Sequence, residues 1–117
     1  MAAEMGTRLV EEVSAWKGVS TDEGRFGSTR LLLGRRKLGH LHPPSTLDMP
    51  LPPAQKRELV RRGEAEQHRW TPPSSGWVTV RLGDEAATEG AIGLLRERYE
   101  HARQLQSKRS PPRGAAP

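Results

Sequence analysis

The chain of 117 residues contains no cysteine. That removes disulfides, thiolate metal ligands and thiol nucleophiles in one step. Aromatic residues are nearly as scarce: Trp16, Phe26, Trp70, Trp77 and Tyr99 are the full set, so each is expected to matter to packing. No run approaches the roughly 18 consecutive apolar residues of a membrane span. Glu4, Glu11 and Glu12 interrupt the first residues, where a signal peptide would be apolar. The expectation is therefore no membrane and a cytoplasmic location. The length is also far short of the roughly 250 residues of a TIM barrel. No Gly-x-Ser-x-Gly elbow, no His-Glu-x-x-His helix and no Gly-rich dinucleotide turn occurs. Nothing in the sequence calls for a cofactor.

Charge is present in excess of one sign, with 19 Lys and Arg against 14 Asp and Glu. Three of the basic residues, Lys108, Arg109 and Arg113, fall in the last ten positions with no acid beside them, which leaves +2 for the rest. A phosphate-tracking surface would carry its excess on the folded part, so nucleic acid is disfavoured as a partner. Residues 107–117, rich in Ser, Pro, Gly and Ala, lack groups able to pack and are expected to be a disordered basic tail.

Periodicity gives the rest of the organisation. Leu9, Val10, Val13 and Trp16 share one face of a helix expected over 7–17, closed by Gly18. Residues 24–27 and 29–33 read as extended, and Gly34-Arg35 as a hairpin turn. The returning strand, 36–42, would alternate Leu38, His40 and His42 on one face with Lys37, Gly39 and Leu41 on the other. Pro43 and Pro44 stop it, and 43–53 reads as a Pro-rich connector. A short helix over 53–62 follows, with Lys56, Arg57, Arg61 and Arg62 expected to serve capping and solubility. Trp77 to Leu82 is the clearest strand, and Asp84 is the expected N-cap of a helix over 85–106. Ala91, Leu94, Leu95, Tyr99 and Ala102 form its apolar stripe. Close backbone contact with the sheet is one reason Gly90 and Gly93 would be tolerated there. The fold class implied is α+β: a small antiparallel sheet with helices packed on one face, in a single domain over 7–106.

Several segments resemble a known family. Glu12-Val13-Ser14-Ala15-Trp16-Lys17-Gly18-Val19, Gly24-Arg25-Phe26-Gly27, Leu33 through His42, Gly63 through His68, Ser75-Gly76-Trp77-Val78 and Leu94 through Glu100 are similar, in order, to the small proteins of the luciferase domain family. The resemblance runs from about Glu12 to Ala102. It implies a compact α+β fold of unassigned activity, without the flavin-binding barrel of bacterial luciferases. A more distant likeness, to the MmcQ/YjbR group, rests on a Trp-containing strand followed by a helix ending near Tyr99 and implies the same fold class.

The residues that could carry chemistry are few. His40 and His42, two apart on one strand, project on one face about 7 Å apart. His68 could supply a third imidazole, with Asp48, Glu64 and Glu66 near in sequence, but no standard metal spacing is present and no metal is expected. Arg25 and Trp77 would add a cation and an aromatic wall if they meet the histidine strand. Arg25, His40, His42, His68 and Trp77 are thus the candidate ligand-binding residues. Two functions remain in competition. One is a non-catalytic binding or interaction module with a small-molecule or protein partner. The other is a small enzyme using His40, His42 and His68 with a metal or as acid and base. No catalytic residue and no oligomeric state can be assigned from the sequence.

Overall fold

The computed structural model describes residues 2–109. Helix α1 (Ala2–Ser14) is followed by strand β1 (Val19–Glu23), a single 3-10 turn (Arg25–Gly27), β2 (Thr29–Leu33), β3 (Arg36–His42) and β4 (Thr46–Pro50). Helix α2 (Pro53–Arg61), β5 (Glu66–Gln67), β6 (Trp77–Arg81) and α3 (Glu85–Arg109) complete the chain. All strand pairings are antiparallel, and the sheet runs β1-β2-β3-β4-β6-β5. This is the α+β class that the sequence implied.

Helices α1 and α3 pack against each other and on one face of the sheet. The core between them is aliphatic: Leu9 and Val13 from α1, Leu31, Leu38, Leu47, Met49 and Val78 from the strands, and Leu95 and Tyr99 from α3 are essentially unexposed. Tyr99 seals one end, donating from its hydroxyl to the Lys17 carbonyl at 2.6 Å and lying 5.2 Å from the Trp16 ring. Trp16, expected as the heaviest anchor of the first helix, sits just past its end and is only partly buried. Asp84 is the N-cap as expected, accepting from the Ala87 amide at 2.8 Å.

Several expectations are corrected. Helix α1 starts earlier, because Met5 adds a turn to the apolar face. Gly6 is required there, since a Cβ would stand 2.7 Å from the Pro44 carbonyl oxygen. The segment containing Arg25 is a turn rather than a strand start. Three strands were not expected: β1, β4 and the two-residue β5. β1 carries one apolar residue and is held by main-chain pairing to β2, while β4 was concealed by the prolines around it. Gly90 and Gly93 face open space, so no sheet contact explains them. Lys56 is buried, its ammonium donating to the carbonyls of Pro73 and Ser75 at 3.2 and 2.6 Å. It therefore pins the loop before β6 rather than serving solubility. Ser107 to Arg109, expected in the tail, continue α3; the remainder of that expected tail, 110–117, lies outside the described residues.

The most consequential correction is in β3. Leu31 pairs with Gly39 but Leu32 pairs with Lys37, so Leu38 is an extra residue, a β-bulge. The bulge resets the alternation. Leu38 turns into the core and is fully buried, while His40 and His42 remain on the opposite face, where Lys37 joins them. Leu38 therefore does not share a face with the histidines.

Candidate functional site: the open face of the sheet

The face of the sheet opposite α1 and α3 carries a line of polar residues. Cα partners across the strands run Arg30 to His40, His40 to Asp48, Asp48 to Thr79 and Thr79 to Glu66. Strands about 4.8 Å apart bring such neighbours into contact. Leu47 and Met49 point to the core, which sends Asp48 between them to the open face. Its side chain is nevertheless only 10% exposed, because the neighbouring rings and Thr79 cover it.

Around that carboxylate the geometry is close. The Thr79 hydroxyl donates to Oδ1 at 2.6 Å. Nε2 of His42 lies 3.0 Å from Oδ2, and Nε2 of His68 lies 3.3 Å from the same oxygen. Both are close ring–carboxylate contacts. His68 Nδ1 accepts from the Trp70 amide at 3.3 Å, which makes His68 the neutral tautomer protonated at Nε2. His68 reaches this position because β5 ends one residue earlier, paired to β6 beside Trp77.

His40 is engaged differently. Its ring packs 5.2 Å from the Trp77 ring and 6.3 Å from that of His42, and its Nε2 is buried without a hydrogen-bond partner. Burial, reinforced by Lys37 and His42, pushes its protonation below the ordinary value of 6.5, against a weaker opposing pull from Asp48. Trp77 is shared, since the His68 ring also lies 5.9 Å from it, tilted by 57°. Its own place is fixed by the loop that Lys56 pins: the Leu51 amide donates to the Gly76 carbonyl at 2.8 Å, and a Cβ on Gly76 would stand 2.3 Å from the Leu51 carbonyl oxygen.

All five residues singled out in the sequence, Arg25, His40, His42, His68 and Trp77, border one open concavity of about 1240 Å³. Arg25 reaches it from the turn between β1 and β2, and the others from β3, the end of β5 and β6. His42 and His68 converge on Asp48, whereas His40 turns toward Trp77. Among the described residues no group of three or more His, Asp or Glu is arranged to hold a metal ion.

Sequence reasoning passed over three features. In the sequence Asp48 stands out only as an available acid, because its strand reads as a Pro-rich connector; the Leu47/Met49 alternation is the signal of the strand. Phe26 and Trp70 stand on the rim, 95% and 83% exposed. Phe26 is held out by a tight turn in which it adopts φ 58, a conformation that bulky side chains rarely take. A Gly24 amide bond to the Ser28 carbonyl at 2.9 Å closes that turn.

The model of the family described as Luciferase domain matches residues 35–98, more than half of the chain. The chain belongs to the luciferase domain family. No curated protein and no solved structure matches it. The luciferase-domain match runs from the β2–β3 turn into α3 and contains His40, His42, Asp48, His68, Trp77 and Thr79. Arg25 and Phe26, and the resembling segment from Glu12 to Gly27, lie before it.

Proposed function

We propose that this luciferase-domain protein is a non-catalytic binding module that takes a small molecule on the open face of its sheet. The observation that carries the reading is convergence. Arg25, His40, His42, His68 and Trp77 come from separate chain segments yet line one concavity, setting an aromatic wall among polar and charged side chains. Convergent polar groups beside an aromatic wall are what fix a ligand's orientation. The concavity is open and polar side chains surround Trp77 in it, which suits a polar organic ligand lying flat against that ring better than a buried ion.

The test is a fragment screen read by amide and indole shifts in NMR spectra. Hits should perturb Trp77, His40, His42 and His68 together, and Trp77→Ala should weaken them. Hits that scatter over α1 and α3, or no hits at all, would remove the reading.

A second reading, a small enzyme using these histidines as acid and base, has one observation in its favour: the buried Asp48 carboxylate beneath His42 and His68. The metal-dependent form of that reading has less support, because His40 does not turn toward the other two imidazoles. Metal analysis of the purified protein, alone and as a His40→Ala/His42→Ala double variant, tests that form. Stoichiometric zinc, iron or manganese lost in the variant would restore it.

A further inference from the structure

The charges that line the concavity fall into two groups, those already engaged and those left free. Arg30 donates to both Asp22 oxygens at 2.6 Å, and Arg81 to both Glu66 oxygens at 2.6 and 3.3 Å. Asp48 accepts from Thr79 and is covered by its neighbouring rings. Arg25, Lys37 and Arg69 line the same concavity, exposed, and have no ion-pair partner among the described residues. Against these three cations stands a single free lining carboxylate, that of Glu23. A cleft with surplus free charge of one sign gathers ligands of the other. The cations are also placed around the aromatic wall. Lys37 acts on His40, helping to lower its protonation, and His40 packs 5.2 Å from Trp77. From the β5 side, His68 lies against Trp77 and leads directly into Arg69, whose guanidinium stands 5.7 Å from the Trp70 ring.

We infer that the ligand of the open face is an aromatic carboxylate, with its ring against Trp77 and its carboxylate toward Lys37. The inference rests on the reading of the concavity as a ligand site and names the ligand's chemical class. The concavity is open, so the carboxylate keeps water on its outer side and avoids the cost of burying a charge. Lys37, a point charge with three donors on a flexible stem, can follow it. A cationic ring would instead meet the three free cations, while the acid nearest the wall, Asp48, is covered. A neutral ring would gain the contact with Trp77 and nothing from the charges.

Three probes built on one ring system test this with the full chain: naphthoate, naphthamide and naphthylmethylammonium. Each is titrated at about pH 7.5, where unperturbed histidines are mostly neutral, and followed by the indole shift of Trp77 in NMR spectra. Naphthoate should bind tightest, on the order of 5-fold tighter than naphthamide, the upper end of what one exposed ion pair contributes. That preference should shrink as salt is raised. Lys37→Met, which keeps an apolar stem, should erase the preference, and Lys37→Arg should keep most of it. Arg57→Met removes an exposed charge from α2, outside the concavity, and should leave the preference in place. Lys37 is exposed and its side chain has no partner among the described residues, so its replacement leaves the fold unstrained.

Equal binding of naphthoate and naphthamide at Trp77 overturns the carboxylate and leaves the binding reading standing. Tightest binding by the ammonium does the same. Equal losses in Lys37→Met and Arg57→Met would reduce the preference to net charge and overturn the place given to Lys37. Failure of all three probes to shift Trp77 overturns the inference as well, and the fragment screen, whose hits need carry no charge, then judges the binding reading alone.

Discussion

The two faces of the sheet are made from alternating residues of the same strands, yet they have opposite construction. The face under α1 and α3 is aliphatic and closed, with Leu31, Leu47, Met49 and Val78 fully buried. The other face sets His40, His42, Asp48 and Thr79 side by side and leaves them uncovered by any helix. Burial of apolar area contributes roughly 25 cal/mol per Å², so the first face supplies most of the stability. Polar residues on the second contribute little by comparison, and a sheet of this kind usually leaves such a face to solvent. Here, however, the polar face is organised: a carboxylate is buried beneath two rings, and an aromatic wall is pinned by a buried lysine. That order is what the proposed ligand site rests on.

The sharpest way to break this contrast is Leu38→Ala. Strict alternation in β3 would set Leu38 beside His40, whereas the bulge turns it into the core, fully buried. Truncation should therefore cost about 2–5 kcal/mol, as for other buried leucines. Urea melts measure it. A cost under about 1 kcal/mol would mean that the bulge, and with it the division of the two faces, is wrong.

Asp48→Ala comes next. It strands the Thr79 hydroxyl, and losing the partner of such a part-buried donor costs about 1–3 kcal/mol. Asp48→Asn keeps an acceptor and should cost less. If Asp48→Ala is silent in the same melts, the polar face is not organised around the carboxylate.

A smaller effect, of opposite sign, is expected far from both faces. Gly93 lies in α3, exposed, with open space where a Cβ would be. Gly93→Ala should stabilise the chain by up to about 1 kcal/mol through helix propensity alone. A loss of stability on thermal melting would show that the glycine has a contact role after all.

How much of this was legible in the sequence depended on whether a signal was local. β6 and α3 were, because Val78 and Val80 alternate and Asp84 caps through its own side chain three residues on. The hairpin at Gly34 was too, since the turn demands a positive φ, and Gly34 has φ 61. β1 was not: Ser20, Thr21, Asp22 and Glu23 have no apolar pattern, and only pairing with β2 makes them a strand. β4 was hidden by its prolines, and the bulge by its dependence on pairing across two strands. The same distinction separates the members of the candidate site. The histidines and Trp77 drew notice as residue types, whereas Asp48 is meaningful only once β4 stands between β3 and β6.

The smallest expected effect is a change of slope, and it concerns His40. Burial, then the nearby Lys37 and His42, lower its protonation below the ordinary 6.5. A protonated ring would also bury an Nε2–H with no acceptor. In the unfolded chain none of this operates, so on acidification the unfolded state takes up the proton first. Between the ordinary value and the lowered folded one, the unfolded state binds more protons, and stability falls as pH falls. Above the ordinary value His40 is neutral in both states and contributes no slope. His40→Gln removes the titrating ring while keeping a polar side chain against Trp77. Melting temperatures of the two proteins, followed from about pH 7.5 downward through the histidine range, should therefore diverge in slope, with the wild type declining more steeply. The other titrating groups act in both proteins and cancel in the comparison. Parallel curves would mean that His40 is as easily protonated folded as unfolded, and that the edge of the open face against Trp77 is wetter than its geometry implies.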